Sequence, residues 1–368
     1  MLAIIGLMSG TSADGIDAAL IHTDGKRIKR TGHAATYAYQ PAIRKAIYVA
    51  RENAADYLVD PYRRDSLVRA ITDAHAEAFT SLKKQAGNPA IDLIGFHGQT
   101  VYHNPVAGRT IQLGDGTRLA HLTETPVIYD FRAADMEAGG QGAPLAPIYH
   151  QLVVRQAGTP LPALFLNIGG VANASFITDT HLEGYDIGPG NALIDDLCQI
   201  FYQQPFDRGG AIAASGHIYH PFIDRVLDDP FFLLVGPRSL DRAAFHRYLN
   251  APDFASLPAA DQIATVTALT ARAICHSLTT LPDQPTTLII AGGGAHNHTL
   301  MAQIKDKLPE GCSLLPASTI GCDADFAEAD LIALLAARWQ AQLPSSFPST
   351  TGVPAPQICG ICALPPQS

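Results

Sequence analysis

The sequence predicts an α/β protein on three observations. Short apolar runs recur and end in glycine-rich turns, helical stretches alternate with those runs, and the composition is rich enough to bury a core. Hydrophobic residues make up 47% and charged residues 16% of the 368, which excludes a disordered or collagen-like chain. That length gives room for two domains.

Leu2 to Met8 is the first apolar run and leads into Ser9-Gly10-Thr11-Ser12, as a buried strand does when it delivers a tight turn to a sheet edge. Helices are expected over Pro41 to Val59 and Tyr62 to Gln85; in the second, Leu67, Ala70, Ile71, Ala74 and Ala78 fall at helical spacing. Ile91 to Phe96 reads as the next strand and runs into His97-Gly98-Gln99-Thr100. Ala163 to Ile168 leads into Gly169 and Gly170, ahead of a helix over Ala192 to Phe201. A helix over Asp261 to Leu278 precedes the strand Thr287 to Ala291, which ends in Gly292, Gly293 and Gly294. The last helix, Ala324 to Gln342, is broken by Pro344 to Pro348, and Gln357 to Leu364 is expected as a final edge strand.

Turn glycines cluster near residue 10 and again over residues 169–190, the pattern of two lobes that each offer backbone to one ligand. The expected division is 1–130 for the first lobe, 131–342 for the second and 343–368 for a Pro-rich tail. A net charge of −9 argues against nucleic acid or an anionic membrane as partner. No run approaches the ~20 apolar residues of a membrane helix, and the N-terminus lacks a basic signal-peptide start. Six cysteines without a secreted spacing pattern read as reduced thiols, Cys359-Gly-Ile-Cys362 included, so a cytoplasmic location is expected.

Three segments are candidates for chemistry. Gly10, Thr11, Ser12, Ala13, Asp14, Gly15, Ile16 and Asp17 follow the first strand, where small residues expose N–H groups that can surround phosphate oxygens. The carboxylates of Asp14 and Asp17 suit Mg²⁺ bound through water, because Mg²⁺ keeps part of its hydration shell. An ordinary β-hairpin turn explains the same residues about as well, and no Walker A loop exists in the chain. Asp186, at a strand end before Gly188-Pro189-Gly190, suits a general base on a rigid scaffold; in a lone motif of this kind, though, Asp more often caps its own turn. Gly292 to Gly294 would let a flat ring lie against backbone, although polyglycine alone is weak evidence. Fourteen histidines show no metal-ligand spacing, and Asp195-Asp196 on its helix reads as surface and capping charge.

Each signal is weak alone, but their order is specific. Met8-Ser-Gly-Thr-Ser-Ala-Asp-Gly-Ile-Asp17, Gly95-Phe-His-Gly-Gln-Thr100, Ile111-Gln-Leu-Gly-Asp-Gly116 and Val127-Ile-Tyr-Asp-Phe-Arg132 stand in the first part of the chain. Gly139-Gly-Gln-Gly-Ala-Pro-Leu-Ala-Pro147, Leu166-Asn-Ile-Gly-Gly-Val-Ala-Asn173, Asp186-Ile-Gly-Pro-Gly-Asn191, Asp207-Arg-Gly-Gly210 and Gly292-Gly-Gly-Ala-His-Asn297 follow. Together they resemble the 1,6-anhydro-N-acetylmuramic acid kinases over essentially the full length, within the acetate and sugar kinase, heat-shock 70 and actin superfamily.

The resemblance implies a two-lobed actin-like ATPase fold of the ribonuclease H-like type, with the active site in the interlobe cleft. It implies ATP and Mg²⁺ as cofactors, a small amino sugar as substrate, and a homodimer. The activity it implies is hydrolytic opening of the anhydro ring with phosphorylation at O6, giving N-acetylmuramic acid 6-phosphate in peptidoglycan recycling. Asp186 would be the catalytic base; Gly10 to Asp17, Gly169, Gly170 and Gly292 to Gly294 would hold the nucleotide. His97, Gln99, Asp130, Asn173 and Glu328 would contact the sugar. Ile187 departs from the small polar residue common after the base, and Asp330 from a small apolar one. An ordinary sugar kinase of the superfamily, or a nucleotide-gated binding module, is the alternative; against the module, residues 343–368 are too few for a peptide-binding domain.

Overall fold

The computed structural model describes residues 1–10, 13–54, 60–104, 107–234, 236–238, 240, 242 and 244–366. In chain order its strands are β1 (Leu2–Ser9), β2 (Gly15–Thr23), β3 (Ile28–Ala38), β4 (Leu93–Asn104), β5 (Arg109–Leu113) and β6 (Val127–Tyr129). They continue as β7 (Ala163–Ile168), β8 (Val171–Ile177), β9 (Leu182–Pro189), β10 (Thr287–Ala291), β11 (Ser313–Pro316) and β12 (Ile361–Ala363). The chain forms two units, one of Met1–Leu152 with Asp325–Ser368 and the other of Val153–Ala324.

In the first unit the sheet order is β12-β6-β4-β1-β2-β3, with β5 attached to β4. β1, β4 and β6 run parallel, with Phe96 opposite Tyr129 and Ser9 opposite Gln99, so Ser9, His97, Gln99 and Asp130 come out at one end of the sheet. β1 and β2 are an antiparallel hairpin, Met8 facing Asp17. The long helix Pro61–Gln85 begins cleanly because Asp60 accepts hydrogen bonds from the Tyr62 and Arg63 N–H groups and Pro61 needs no partner for its nitrogen.

The helix Ala327–Gln340 lies directly on this sheet. A Cβ at Gly6 of β1 or Gly95 of β4 would strike the Ala329 or Ile332 carbonyl, so both glycines exist to let helix backbone approach strand backbone. Ala329 to Ala337 are buried throughout, as befits a helix covered on more than one side. This corrects the expected division. The first unit extends to Leu152 instead of ending at residue 130, and the last helix belongs to it instead of to the second lobe. The tail is not separate either: β12 pairs antiparallel with β6, and Ala363 is buried in the first unit's core. Nothing in the local sequence marks that return of the chain, because the contacts that define it span hundreds of residues.

In the second unit the sheet order is β11-β10-β7-β8-β9. β7, β10 and β11 run parallel, while β7, β8 and β9 form an antiparallel meander. The helix Ala259–Thr279 is buried along most of its length against this unit's core.

Candidate active site

Asp186 sits on β9 in register with Asn173 of β8, which in turn faces Asn167 of β7, so one polar row crosses three strands. Its neighbour Ile187 points the opposite way and is 1% exposed, in the core, as strand alternation requires. The Asp186 N–H donates to the Arg238 carbonyl, and the Leu240 N–H donates to the Asp186 carboxylate at 2.6 Å. The carboxylate therefore does not cap its own turn: its backbone donor lies 54 residues away. Burial pushes the Asp186 carboxyl up to about 6, with the Leu240 N–H and the Arg238 guanidinium pulling it back. A carboxylate with that affinity is deprotonated at neutral pH yet basic enough to take a proton from water in a transition state.

Beside this row, the carbonyls of Gly169 and Gly170 accept hydrogen bonds from the N–H groups of Gly190, Asn191 and Ala192, at the start of the helix Ala192–Tyr202. Gly292 has a φ of +81°, and a Cβ there would meet the Asn167 side chain; at Gly294 it would strike Ile168. These two glycines are demanded by packing against the end of β7. Gly293 is different, for a Cβ there meets only Asn191 at 3.5 Å, and the residue faces a cavity of about 240 Å³. Ile194, Asp195, Phe206 and Asn297 line the same cavity. Asp196, the next residue, turns away and binds Arg242 and His246. Asp195 thus edges a cavity, and the expectation of plain surface charge does not hold for it.

In the first unit, Gly10, Ala13 and Asp14 lie between β1 and β2, and Gly15, Ile16 and Asp17 open β2, which is compatible with both a phosphate cradle and an ordinary hairpin turn. Thr11 and Ser12 lie outside the described residues. Ile16 is buried core, and Gly15 is fixed by packing, since a Cβ would come within 2.6 Å of the Tyr37 carbonyl. Asp14 is exposed and paired with Arg44. Asp17 accepts a hydrogen bond from Thr36 at 2.6 Å; burial raises its carboxyl, opposed by Thr36, and the negative charges of Asp325 and Asp14 raise it further. Mutual repulsion among carboxylates is relieved by a cation. Asp14 and Asp17 therefore fit Mg²⁺ held through its waters, although no group of three ligating side chains occurs among the described residues.

Gln99 is fully buried, with both ends of its amide occupied. Its Nε2 donates to the Gly10 carbonyl at 3.0 Å, and its Oε1 accepts from Ser9 Oγ at 2.6 Å. Ser9 Oγ also lies 3.1 Å from the Gly15 carbonyl, so this one side chain ties together both ends of the hairpin. Gln99 had been expected at the sugar; its geometry is that of a brace.

His97 is 5% exposed and accepts hydrogen bonds from Arg132 at its Nε2, while its Nδ1 pairs with the Gly98 carbonyl. Burial and, less, the Arg132 charge push its pKa down to about 3, so it is neutral with the proton on Nδ1. Arg132 also donates to the Gly142 carbonyl, and next to it Asp135 accepts from the Gly142 N–H and from Thr351 Oγ1, each at 2.6 Å. Asp130 caps the following turn through the Ala133 N–H and, with His97, lines a cavity of about 300 Å³. Glu328, in the first turn of its helix, keeps contact with solvent yet is crowded by protein. That crowding raises its carboxyl, Arg132 opposing and Asp17 adding to the shift.

The first unit therefore brings His97, Gln99, Asp130, Asp17 and Glu328 around the same end of its sheet, and the second brings Asn173, Asp186, Gly169, Gly170 and Gly292 to Gly294 around the end of β7. Three residues were missed: Arg132, Asn167 and Asp195. Each stands inside or beside a quoted motif, but its role depends on contacts that no spacing encodes.

A family model described as anhydro-N-acetylmuramic acid kinase matches residues 2–365. Curated relatives of that name include those of Bradyrhizobium diazoefficiens (41% identical; 99% of this chain and 100% of the relative) and Rhodopseudomonas palustris strain BisB18 (42%; 99% and 100%). A third, from Gluconobacter oxydans, is 41% identical over 98% of this chain and 99% of its own. Among solved structures, the activator of 2-hydroxyisocaproyl-CoA dehydratase from Clostridium difficile with bound ADPNP aligns at 12% identity and TM-score 0.44, covering 92% and 96%. A ROK family glucokinase from Streptomyces griseus in complex with glucose and AMPPNP aligns at 13% and 0.40, covering 91% and 99%.

Proposed function

The chain belongs to the anhydro-N-acetylmuramic acid kinase family, and from that premise we propose how its residues divide the work. It is a phosphotransferase of cell-wall recycling: with ATP it opens the 1,6-anhydro ring of anhydro-N-acetylmuramic acid and yields N-acetylmuramic acid 6-phosphate. Asp186 takes a proton from a water molecule as the water oxygen bonds to C1 and the C1–O6 bond breaks, as the base of an inverting glycosidase does. The freed O6 bonds to the γ-phosphorus of ATP, and ADP leaves. No covalent enzyme intermediate is needed. The observation that carries this assignment is the Asp186 carboxyl itself, pushed up to about 6 by burial while held in place by the Leu240 N–H.

The β1–β2 hairpin holds phosphate oxygens with backbone N–H groups, and Asp14 with Asp17 holds Mg²⁺ through water; the ion supplies charge neutralisation during transfer. Glu328, Asp130 and Asn173 contact the sugar, and His97, whose ring nitrogens are taken by Arg132 and the Gly98 carbonyl, packs its ring beside them. The Gly293 cavity receives the nucleoside. A homodimer in the cytoplasm, where ATP is available, completes the reading.

The test offers the anhydro sugar and the reducing sugar separately with MgATP in ¹⁸O-labelled water. The expected product from the anhydro sugar carries ¹⁸O at C1 and phosphate at O6. Phosphorylation of the reducing sugar alone would assign the chain to ordinary sugar kinase chemistry instead.

A further inference from the structure

In the cavity of about 240 Å³ beside Gly293, the side chains of Asp207, Asn297 and Asn191 already have partners. Asp207 accepts hydrogen bonds from the Ile212 and Ala213 N–H groups. Asn297 accepts from the Leu300 N–H, and Asn191 donates to the Ile168 carbonyl. The Asp195 carboxylate lines the same space, and no hydrogen bond reaches it among the described residues. Beside it on the same helix Ile194 lines the cavity, as do Phe206, 47% exposed, and His296. The volume is below the ~300–1,000 Å³ of a site for a drug-sized ligand, so it suits a single flat ring system with little more.

We propose that Asp195 selects the nucleoside, its carboxylate accepting a hydrogen bond from an N–H or O–H donor on the ligand seated between Phe206 and Gly293. This rests on the reading that the cavity takes the nucleoside of ATP. A carboxylate accepts only, so it favours ligands that turn a donor toward it and penalises those that leave it unpaired. Burial, with the charge of Asp196 adding and Arg242 opposing, pushes the Asp195 carboxyl up to about 6, as for an acceptor partly removed from water. ATP has two sources of such a donor, the 6-amino group of the base and the ribose hydroxyls.

The test measures dissociation constants by calorimetry for ATP, purine riboside triphosphate and 2′-deoxy-ATP, on the wild type, Asp195→Ala and Gly293→Val. Purine riboside triphosphate lacks the 6-amino group and 2′-deoxy-ATP one hydroxyl. Alanine is the best helix former, so the first variant keeps its helix. A hydrogen bond to a charged group corresponds to about 10- to 100-fold in affinity. The expected result is that the wild type prefers ATP to one of the two analogues by that factor and Asp195→Ala loses the preference, the analogue identifying which donor is read. If Gly293→Val weakens all three ligands but Asp195→Ala leaves every preference unchanged, the selection by Asp195 is overturned and the nucleoside cavity stands. If neither variant alters binding of any nucleotide, the cavity reading fails with it.

Discussion

Replacing Asp186 by Asn should separate stability from catalysis, because the same burial sets both. At neutral pH the Asp186 carboxylate is ionised in a site that holds its carboxyl at about 6, against 3.8 for an ordinary aspartate. Each pKa unit corresponds to 1.36 kcal/mol, so ionised Asp186 opposes folding by up to about 3 kcal/mol. The sign follows from the raised value. Below pH ~4 both states are protonated and the penalty is absent; it grows as pH rises from ~4 to ~6 and is complete above that. Asn carries no charge, and its Oδ1 still accepts the Leu240 N–H, so Asp186→Asn should unfold at the same or higher denaturant concentration at pH 7. The gain should shrink toward pH 4. Turnover moves the other way, by ~10²–10⁴-fold or more, since a positioned base contributes that much and the ring opening is coupled to phosphoryl transfer. In the wild type, kcat/KM should fall tenfold per pH unit below about 6. Two results would refute the reasoning: turnover within tenfold of wild type at saturating anhydro sugar, or an acid limb near pH 4.

Three further substitutions test the remaining assignments. Gln99→Glu keeps the size but cannot donate to the Gly10 carbonyl, so KM for ATP should rise about tenfold with KM for the sugar unchanged; the reverse pattern would return Gln99 to the sugar site. Glu328→Gln should raise KM for the anhydro sugar by about tenfold or more and leave that for ATP, and equal effects on both would refute a sugar contact. Thr351→Val removes the hydroxyl that donates to buried Asp135, and chemical denaturation should show a loss of about 1–3 kcal/mol without loss of turnover per folded molecule.

The parts of the fold legible in the sequence were those buried on both faces. β1, β7 and β10 read as continuous apolar runs because helices or other strands cover them, and their glycine turns appear where expected. β3, Ile28–Ala38, escaped notice for the opposite reason. It is an edge strand, most of its residues are partly or fully exposed, and its run of Lys29, Arg30, Thr31 and His33 reads as loop. The last helix was recognised but placed in the wrong unit, since its apolar character says that it is covered and not by what.

The site divides along a similar line. The setting of Asp186 was legible because Gly188 and Gly190 constrain the backbone after it, and backbone constraints are local; the role of base came only from the resemblance. What a polar side chain touches is not local. Gln99 and His97 lie two residues apart on one strand, and sequence assigns both to the ligand with equal justice. Yet the Gln99 amide closes on Ser9 and Gly10, and the His97 ring is held by Arg132 from beyond β6. Asp195 and Asp196 make the case at its sharpest. Consecutive residues on a helix point ~100° apart, so one carboxylate binds Arg242 and His246 while its neighbour lines a cavity and accepts no hydrogen bond among the described residues. A composition count treats the two as a pair of surface charges. Only the placement of the helix against Gly293 makes one of them an acceptor that a ligand must satisfy.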